Sequence, residues 1–142
     1  MSWDAYITNL KTPNSDGTNP VMEAAICGIA PGQESVWAST DALKNITVDE
    51  IKKLAGDRSS FRQAGPTIAG TKCMLLTDKM EEEGVYSLNM KTKADACGAC
   101  YSVCVGKSNN AIVIAQGTKE ANGGQLTTKV YGVVKHLRDA NM

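Results

Sequence analysis

Apolar side chains at Trp3, Tyr6, Ile7 and Leu10 recur at the i, i+3, i+4, i+7 spacing of one helix face. Ser2 is placed to cap that helix, Asp4 sits in a first turn where negative charge is favoured, and Pro13 ends it. A polar stretch runs to Pro20 and reads as a loop, with Asn14, Ser15, Asp16 and Gly17 as its turn residues. Val21 to Ile29 reads as a strand closed by Ala30-Pro31-Gly32-Gln33, and Val36 to Ser39 as a second, shorter one. Next comes a strong local signal. Thr47 and Glu50 have capping-box spacing, Ile46 and Ile51 form a hydrophobic staple around them, and Gly56 closes a helix from Val48 to Ala55.

Strand patterns follow at Thr67 to Gly70, Lys72 to Thr77, Val85 to Thr92, Tyr101 to Val105 and Ala111 to Gln116. Turn residues separate them, including Glu83-Gly84 and Lys107-Ser108-Asn109-Asn110. Alternation places Tyr86, Leu88 and Met90 on one face and Ser87, Asn89 and Lys91 on the other, as in a half-buried antiparallel strand. After Asn122-Gly123-Gly124 a last helix begins near Leu126, with Leu126, Val130, Val133, Val134 and Leu137 as its apolar stripe. The order helix, two strands, helix, five strands, helix is an α+β meander with helices on sheet faces.

At 142 residues the chain reads as one domain, 1–142, large enough for a core without covalent staples. Fifteen basic and fifteen acidic side chains cancel, so nothing draws it generally to nucleic acid or to a membrane surface. Glu81-Glu82-Glu83 is the one like-charge run and reads as a solvated turn. The first residues lack the basic and apolar regions of a secretory leader. The five cysteines are therefore expected to be reduced thiols in the cytosol, and the Asn45-Ile46-Thr47 sequon to go unused.

Four separated blocks resemble the profilin family: Trp3-Asp4-Ala5-Tyr6-Ile7, Ser35-Val36-Trp37-Ala38, Asp57-Arg58-Ser59-Ser60-Phe61 and His136-Leu137-Arg138. The resemblance spans the whole chain. It implies a central antiparallel sheet with the N- and C-terminal helices packed together on one face and a short helix on the other. It also implies a non-enzymatic cytoplasmic, cytoskeletal protein that needs no cofactor. Its partners would be monomeric actin, proline-rich proteins of actin assembly and phosphoinositide lipids. Such a protein caps the growing-end face of an actin monomer, regulating polymerisation and nucleotide exchange.

Composition alone favours a core role for the large rings. The resemblance instead carries over Trp3, Tyr6, Trp37 and His136, with Ser35, Leu137 and Met142, as a poly-proline groove. Flat rings accept pyrrolidine faces of a polyproline II helix, which loses little entropy on docking. Many profilins end in an aromatic residue. Met142 stands there in this chain, and a flexible thioether without a hydroxyl predicts weaker proline affinity. The actin set carried over is Lys72, Met74, Leu75, Thr77, Lys93, Cys100, Ser102, Asn122, Thr128 and Tyr131. Thr77 and Thr128 stand where many profilins have basic or amide residues. Lys91, Lys93, Lys129, Lys135 and Arg138 are the lipid candidates.

Two other readings stand beside this one. An α+β sensor domain would hold a small molecule inside the sheet's concavity. A thiol or metal protein would use Cys97, Cys100 and Cys104, but the spacing lacks a fourth zinc ligand and does not match a ferredoxin run. Gly106-Lys107-Ser108 lacks the upstream glycine and following helix of a phosphate loop, so it reads as a hairpin turn. The lone His136 has no triad partners at suggestive spacing, so no catalytic site is expected.

Overall fold

The computed structural model describes residues 4–12, 17, 19–30, 32, 34–56, 67–79, 82, 86–92, 100–118 and 123–140. Trp3, Lys93, Cys97, Asn122, Met142, the Ser2 cap, Pro13, Glu83-Gly84 and the Asp57–Phe61 block lie outside them. Helix α1 covers Asp4–Lys11, α2 Val48–Ala55 and α3 Gly123–Asp139. The strands are β1 (Val21–Gly28), β2 (Ser35–Ser39), β3 (Thr67–Ile68), β4 (Thr71–Lys79), β5 (Ser87–Thr92), β6 (Ser102–Lys107) and β7 (Ala111–Gly117). A short 3-10 turn at Asp41–Leu43, which has no periodic signal, follows β2.

The strands form one antiparallel sheet in the order β2-β1-β7-β6-β5-β4-β3. Strand parity sorts its apolar residues into two cores. Ala25 and Cys27 of β1 and Ile112 and Ile114 of β7 meet Ile51 and Leu54 of α2. The alternate residues, Ala24, Ile26, Ala111, Val113 and Ala115, meet Tyr6 and Leu10 of α1 and the whole expected stripe of α3. The terminal helices therefore share one face and α2 covers the other. Small side chains on the first face let α3 approach closely. A Cβ on Gly106 would lie 2.5 Å from a Val130 methyl and 2.6 Å from one of Val134.

The capping box at α2 forms in full. The Thr47 hydroxyl accepts from Glu50 N and the Glu50 carboxylate accepts from Thr47 N. Ile46 and Ile51 are buried in the same core. Glu50 does more than cap. It is 6 % exposed, and its oxygens also accept from the backbone N–H of Ala69 at 3.0 Å and of Gly70 at 3.1 Å. Burial raises its pKa, but the donors from Thr47, Gly70, Thr67 and Ala69 outweigh that and hold it below the ordinary glutamate value.

Three expectations change. Ala69 and Gly70 are not strand but the tight turn between β3 and β4, with φ of 51° and 83°. Alanine is unfavourable in that conformation, and the Glu50 carboxylate holds it there. Tyr86 does not share a face with Leu88 and Met90. Its φ of 51° breaks the alternation and sends the ring to the terminal-helix side, where the Arg138 guanidinium lies 3.4 Å from its centroid. Helix α3 starts at Gly123 instead of near Leu126, so its first turn lacks apolar residues and gives no periodic cue.

The hairpin after β6 forms as expected, with Ser108 N donating to Ala111 O. Among the described residues no helix is long and apolar enough to cross a membrane, which leaves β-barrels unaddressed.

Candidate functional site: a ring-lined groove and a strand face

Tyr6 on α1 and His136 on α3 meet with ring centroids 5.6 Å apart and planes tilted by 53°. They line an open groove of about 330 Å³ between the two helices, together with Ala5, Asn9, Gly132 and Val133. Tyr6 is largely buried beneath the groove while His136 is exposed. Trp37 on β2 is 38 % exposed despite its size. It is the bulged residue of β2, skipped between the Ile26–Ala38 and Cys27–Val36 pairs. The bulge lays its ring on Gly28, where an added Cβ would come within 2.5 Å of the indole. Helix α1 packs against β1, β2 and α3, so it joins the Trp37 strand to the groove. Ser35 is exposed at the start of β2.

Leu137 is placed differently from the expectation. It is wholly buried among Leu10, Val113 and Val134, so it supports the groove from below and does not line it. One residue along a helix is about 100° of rotation, which turns Leu137 inward when His136 faces out. Asn9 and Gly132 line the groove without having been singled out in the sequence. Asn9 stands three residues after Tyr6 on the same helix face, which is the cue that could have found it.

The groove walls are fixed at the end of α1. Thr12 donates its hydroxyl to Thr8 O at 2.8 Å, Asn19 donates to Lys11 O at 2.8 Å, and the Lys129 ammonium from α3 donates to Thr12 O. A cation on the carbonyl end of a helix complements its dipole.

The second surface lies where β4, β5 and β6 run beside α3. Register places Met74, Lys91 and Ser102 opposite one another in one cross-strand row. Thr77, Asn89 and Cys104 form the next row. Met74 is 56 % exposed, and Lys72 and Thr77 are exposed with it. Thr128 and Tyr131 of α3 are exposed and half-exposed, and Cys100 is half-exposed before β6. Leu75 is partly exposed. Its side chain packs against the α2-side core, and the second exposed apolar residue of β4 is Leu76, at the bulge between Leu75 and Thr77.

A cleft of about 430 Å³ opens beside these rows, lined by Thr77, Lys79, Ser87, Asn89 and Thr127. Thr127 donates its hydroxyl to Asn89 Oδ1 at 3.1 Å and lies 3.8 Å from Cys104 Sγ. Only Thr77 of this set was singled out in the sequence. The others meet only when α3 crosses the sheet.

Three of the four described lipid candidates have partners within the chain. Lys129 caps α1, Lys135 pairs with Asp139 at 2.9 Å, and Arg138 donates twice to Lys107 O, at 3.0 and 2.7 Å, while stacking on Tyr86. Lys91 alone of the described four is exposed with no intramolecular role assigned to it here.

Three of the described thiols, Cys27, Cys73 and Cys104, are buried, and Cys100 is half-exposed. Burial pushes the Cys27 and Cys73 thiols up to about 12, with the Glu50 charge adding to it. Burial pushes Cys104 up to about 11 against hydrogen bonds from Thr127 and Ser87. A thiolate ligand or nucleophile needs the opposite shift. Among the described residues no group of three metal-ligating side chains converges.

The profilin family model matches residues 1–142. Human profilin-1 is 36 % identical over 139 residues, covering 96 % of this chain and 95 % of its own length. Human profilin-2 is 33 % identical over 141 residues, covering 97 % and 96 %. The solved structure of mouse profilin IIa, in complex with a double repeat from the FH1 domain of mDia1, superposes with a TM-score of 0.88 at 32 % identity over the full length of both chains. Family match, identity and superposition agree over the whole length, and the chain belongs to the profilin family.

Proposed function

We propose that this protein binds monomeric actin through the β4–β6 surface beside α3 and proline-rich segments through the α1–α3 groove. The observation that carries the second half is the Tyr6–His136 ring pair. It stands in an open groove on a chain that superposes along its full length on a profilin solved with an FH1 repeat. Rings and an exposed histidine edge suit a polyproline II ligand, whose pyrrolidines stack and whose carbonyls accept. Trp3 and Trp37 belong to the same site in this reading, with Met142 at its end.

The first half rests on the exposed Met74, Lys72 and Thr77 and the half-exposed Ser102, flanked by Tyr131 and Thr128. Apolar centre, lysine rim and a tyrosine are the composition of an interface hot spot. Lys93 and Asn122 belong to this set by resemblance. Bound here, the protein covers the growing-end face of the monomer, suppresses nucleation and speeds nucleotide exchange. The two surfaces leave α3 in different directions: Tyr131 and Gly132 are neighbours in sequence but about 100° apart around the helix. One molecule can therefore hold both partners. Tethering then delivers the monomer at effective concentrations on the order of mM, with no conformational switch.

The protein is proposed to be a single non-enzymatic domain of the cytoplasm and cytoskeleton. Phosphoinositide headgroups are the weakest of the partners, because three of the five cations are held within the chain. A sensor with a ligand inside the sheet is disfavoured, because both sheet faces are filled by packed helices.

Titrating intrinsic tryptophan fluorescence with a proline decamer tests the groove. A saturable change that His136→Ala weakens about tenfold is expected, and a flat titration overturns the reading. Slower spontaneous assembly of labelled actin, relieved by Tyr131→Ala, is the matching result for the other surface.

A further inference from the structure

Three glycines bear on the groove helices and strands, and they differ in one respect. A Cβ on Gly106 would strike Val130 and Val134, and one on Gly28 would strike the Trp37 ring. Both absences are explained by internal packing. Gly132 is different. It is exposed in the middle of α3, and among the described residues a Cβ built there meets nothing within 4 Å. Glycine inside a helix is unfavourable relative to alanine, both in backbone entropy and in propensity. Nothing described within the chain gains from this position's lack of a side chain. What does gain is the space outside it, because Gly132 lines the groove together with Ala5 and the ring pair.

Resting on the groove reading above, we infer that Gly132 is a specificity-determining residue. It opens a bay between α1 and α3 that accepts one aromatic side chain carried within a proline-rich segment. The chain already shows this packing once, in the Trp37 ring lying on Gly28. At Gly132 the arriving ring lies on bare helix backbone, with Tyr6, His136 and Asn9 in the same lining. Aromatic rings favour tilted or offset neighbours with centroids about 4.5–7 Å apart, and the Tyr6–His136 pair already packs in that way at the groove. A prolyl ring is smaller than a phenyl ring and closes back on its own backbone, so plain oligoproline depends less on the bay.

The test uses the full chain, a proline decamer, and a panel of decamers each with one proline replaced by phenylalanine. The wild type is expected to bind at least one phenylalanine peptide as tightly as the plain decamer. Gly132→Gln, whose long side chain fills the bay, should weaken that peptide at least fivefold more than it weakens the plain decamer. Gly132→Ala should raise the melting temperature and still shift the preference away from the phenylalanine peptide, by a smaller factor than Gly132→Gln, because its Cβ would lie under the arriving ring as one on Gly28 would lie under Trp37; a stabilised helix alone would not move that preference. If Gly132→Gln weakens both peptides equally, or neither, or if the wild type rejects every phenylalanine peptide while binding the decamer, the inference falls and the groove reading stands. If the wild type binds none of the peptides, both fall.

Discussion

Glu50 concentrates several roles in one side chain, and replacing it by glutamine separates them. In the native structure its two oxygens accept from the backbone N–H of Thr47, Ala69 and Gly70 in a site that is 6 % exposed. Glutamine keeps one oxygen and turns an NH2 toward the remaining donor. Two charge-assisted bonds become neutral ones, at about 1 kcal/mol each, and one part-buried donor loses its partner at about 1 kcal/mol, the low end of that cost. We expect a loss of about 3 kcal/mol, a large share of the 5–15 kcal/mol typical of a domain. With a urea slope near 1.5 kcal/mol per M, the midpoint should fall by about 2 M.

The pH dependence has a definite sign. Because the folded-state pKa lies below the ordinary glutamate value, the stabilisation is complete above the unfolded value of about 4.3. It is lost as pH falls through the lowered folded value. The gap between wild type and Glu50→Gln should therefore be widest at neutral pH and should close in acid. Helix α2 lies on the sheet face opposite the groove, so proline-decamer affinity of the folded variant should not change. Urea titrations at pH 7 and pH 3 provide the assay. A gap under 0.5 kcal/mol, or one that is constant with pH, would falsify the assignment of a charged clasp to Glu50.

Other perturbations read other parts of the fold. Gly106→Ala puts a methyl 2.5 Å from Val130 and should cost about 1–3 kcal/mol by overpacking, seen as a lower urea midpoint. Cys27 and Cys73, held up at about 12, and Cys104, at about 11, should resist an aromatic disulfide reagent at pH 8. No more than Cys97 and Cys100 should react in the folded protein, against all five thiols in urea; fast reaction of a third would contradict the burial. Met142→Tyr should tighten proline-decamer binding several-fold in a calorimetric titration, and an unchanged dissociation constant would remove Met142 from the groove.

Features written in short stretches of sequence were legible. The Thr47–Glu50 box, the Ile46–Ile51 staple and the α3 stripe needed only neighbours within a turn or two, and all form. What was illegible depends on contacts between distant segments. Glu50 was readable as a cap, but its hold on Ala69 and Gly70 needs a turn twenty residues away. Tyr86 changes face because of one backbone angle, which no periodicity encodes. Lys129 and Arg138 carry charge that looks available until α3 brings them onto Thr12 and Lys107. The cleft of Asn89 and Thr127 exists only because a strand and a helix 38 residues apart cross there. Leu137 was assigned by block resemblance, which conveys position in the chain but not the direction of a side chain.

The central claim is that one molecule presents two independent faces, and a single anisotropy measurement tests it most directly. A fluorescent proline decamer is first saturated with the protein and then titrated with monomeric actin. The account predicts a rise on adding the protein and a second, larger rise on adding actin, as a ternary complex forms. A fall toward the value of free peptide would show that actin and proline compete for one surface, and no response at either step would remove the groove itself.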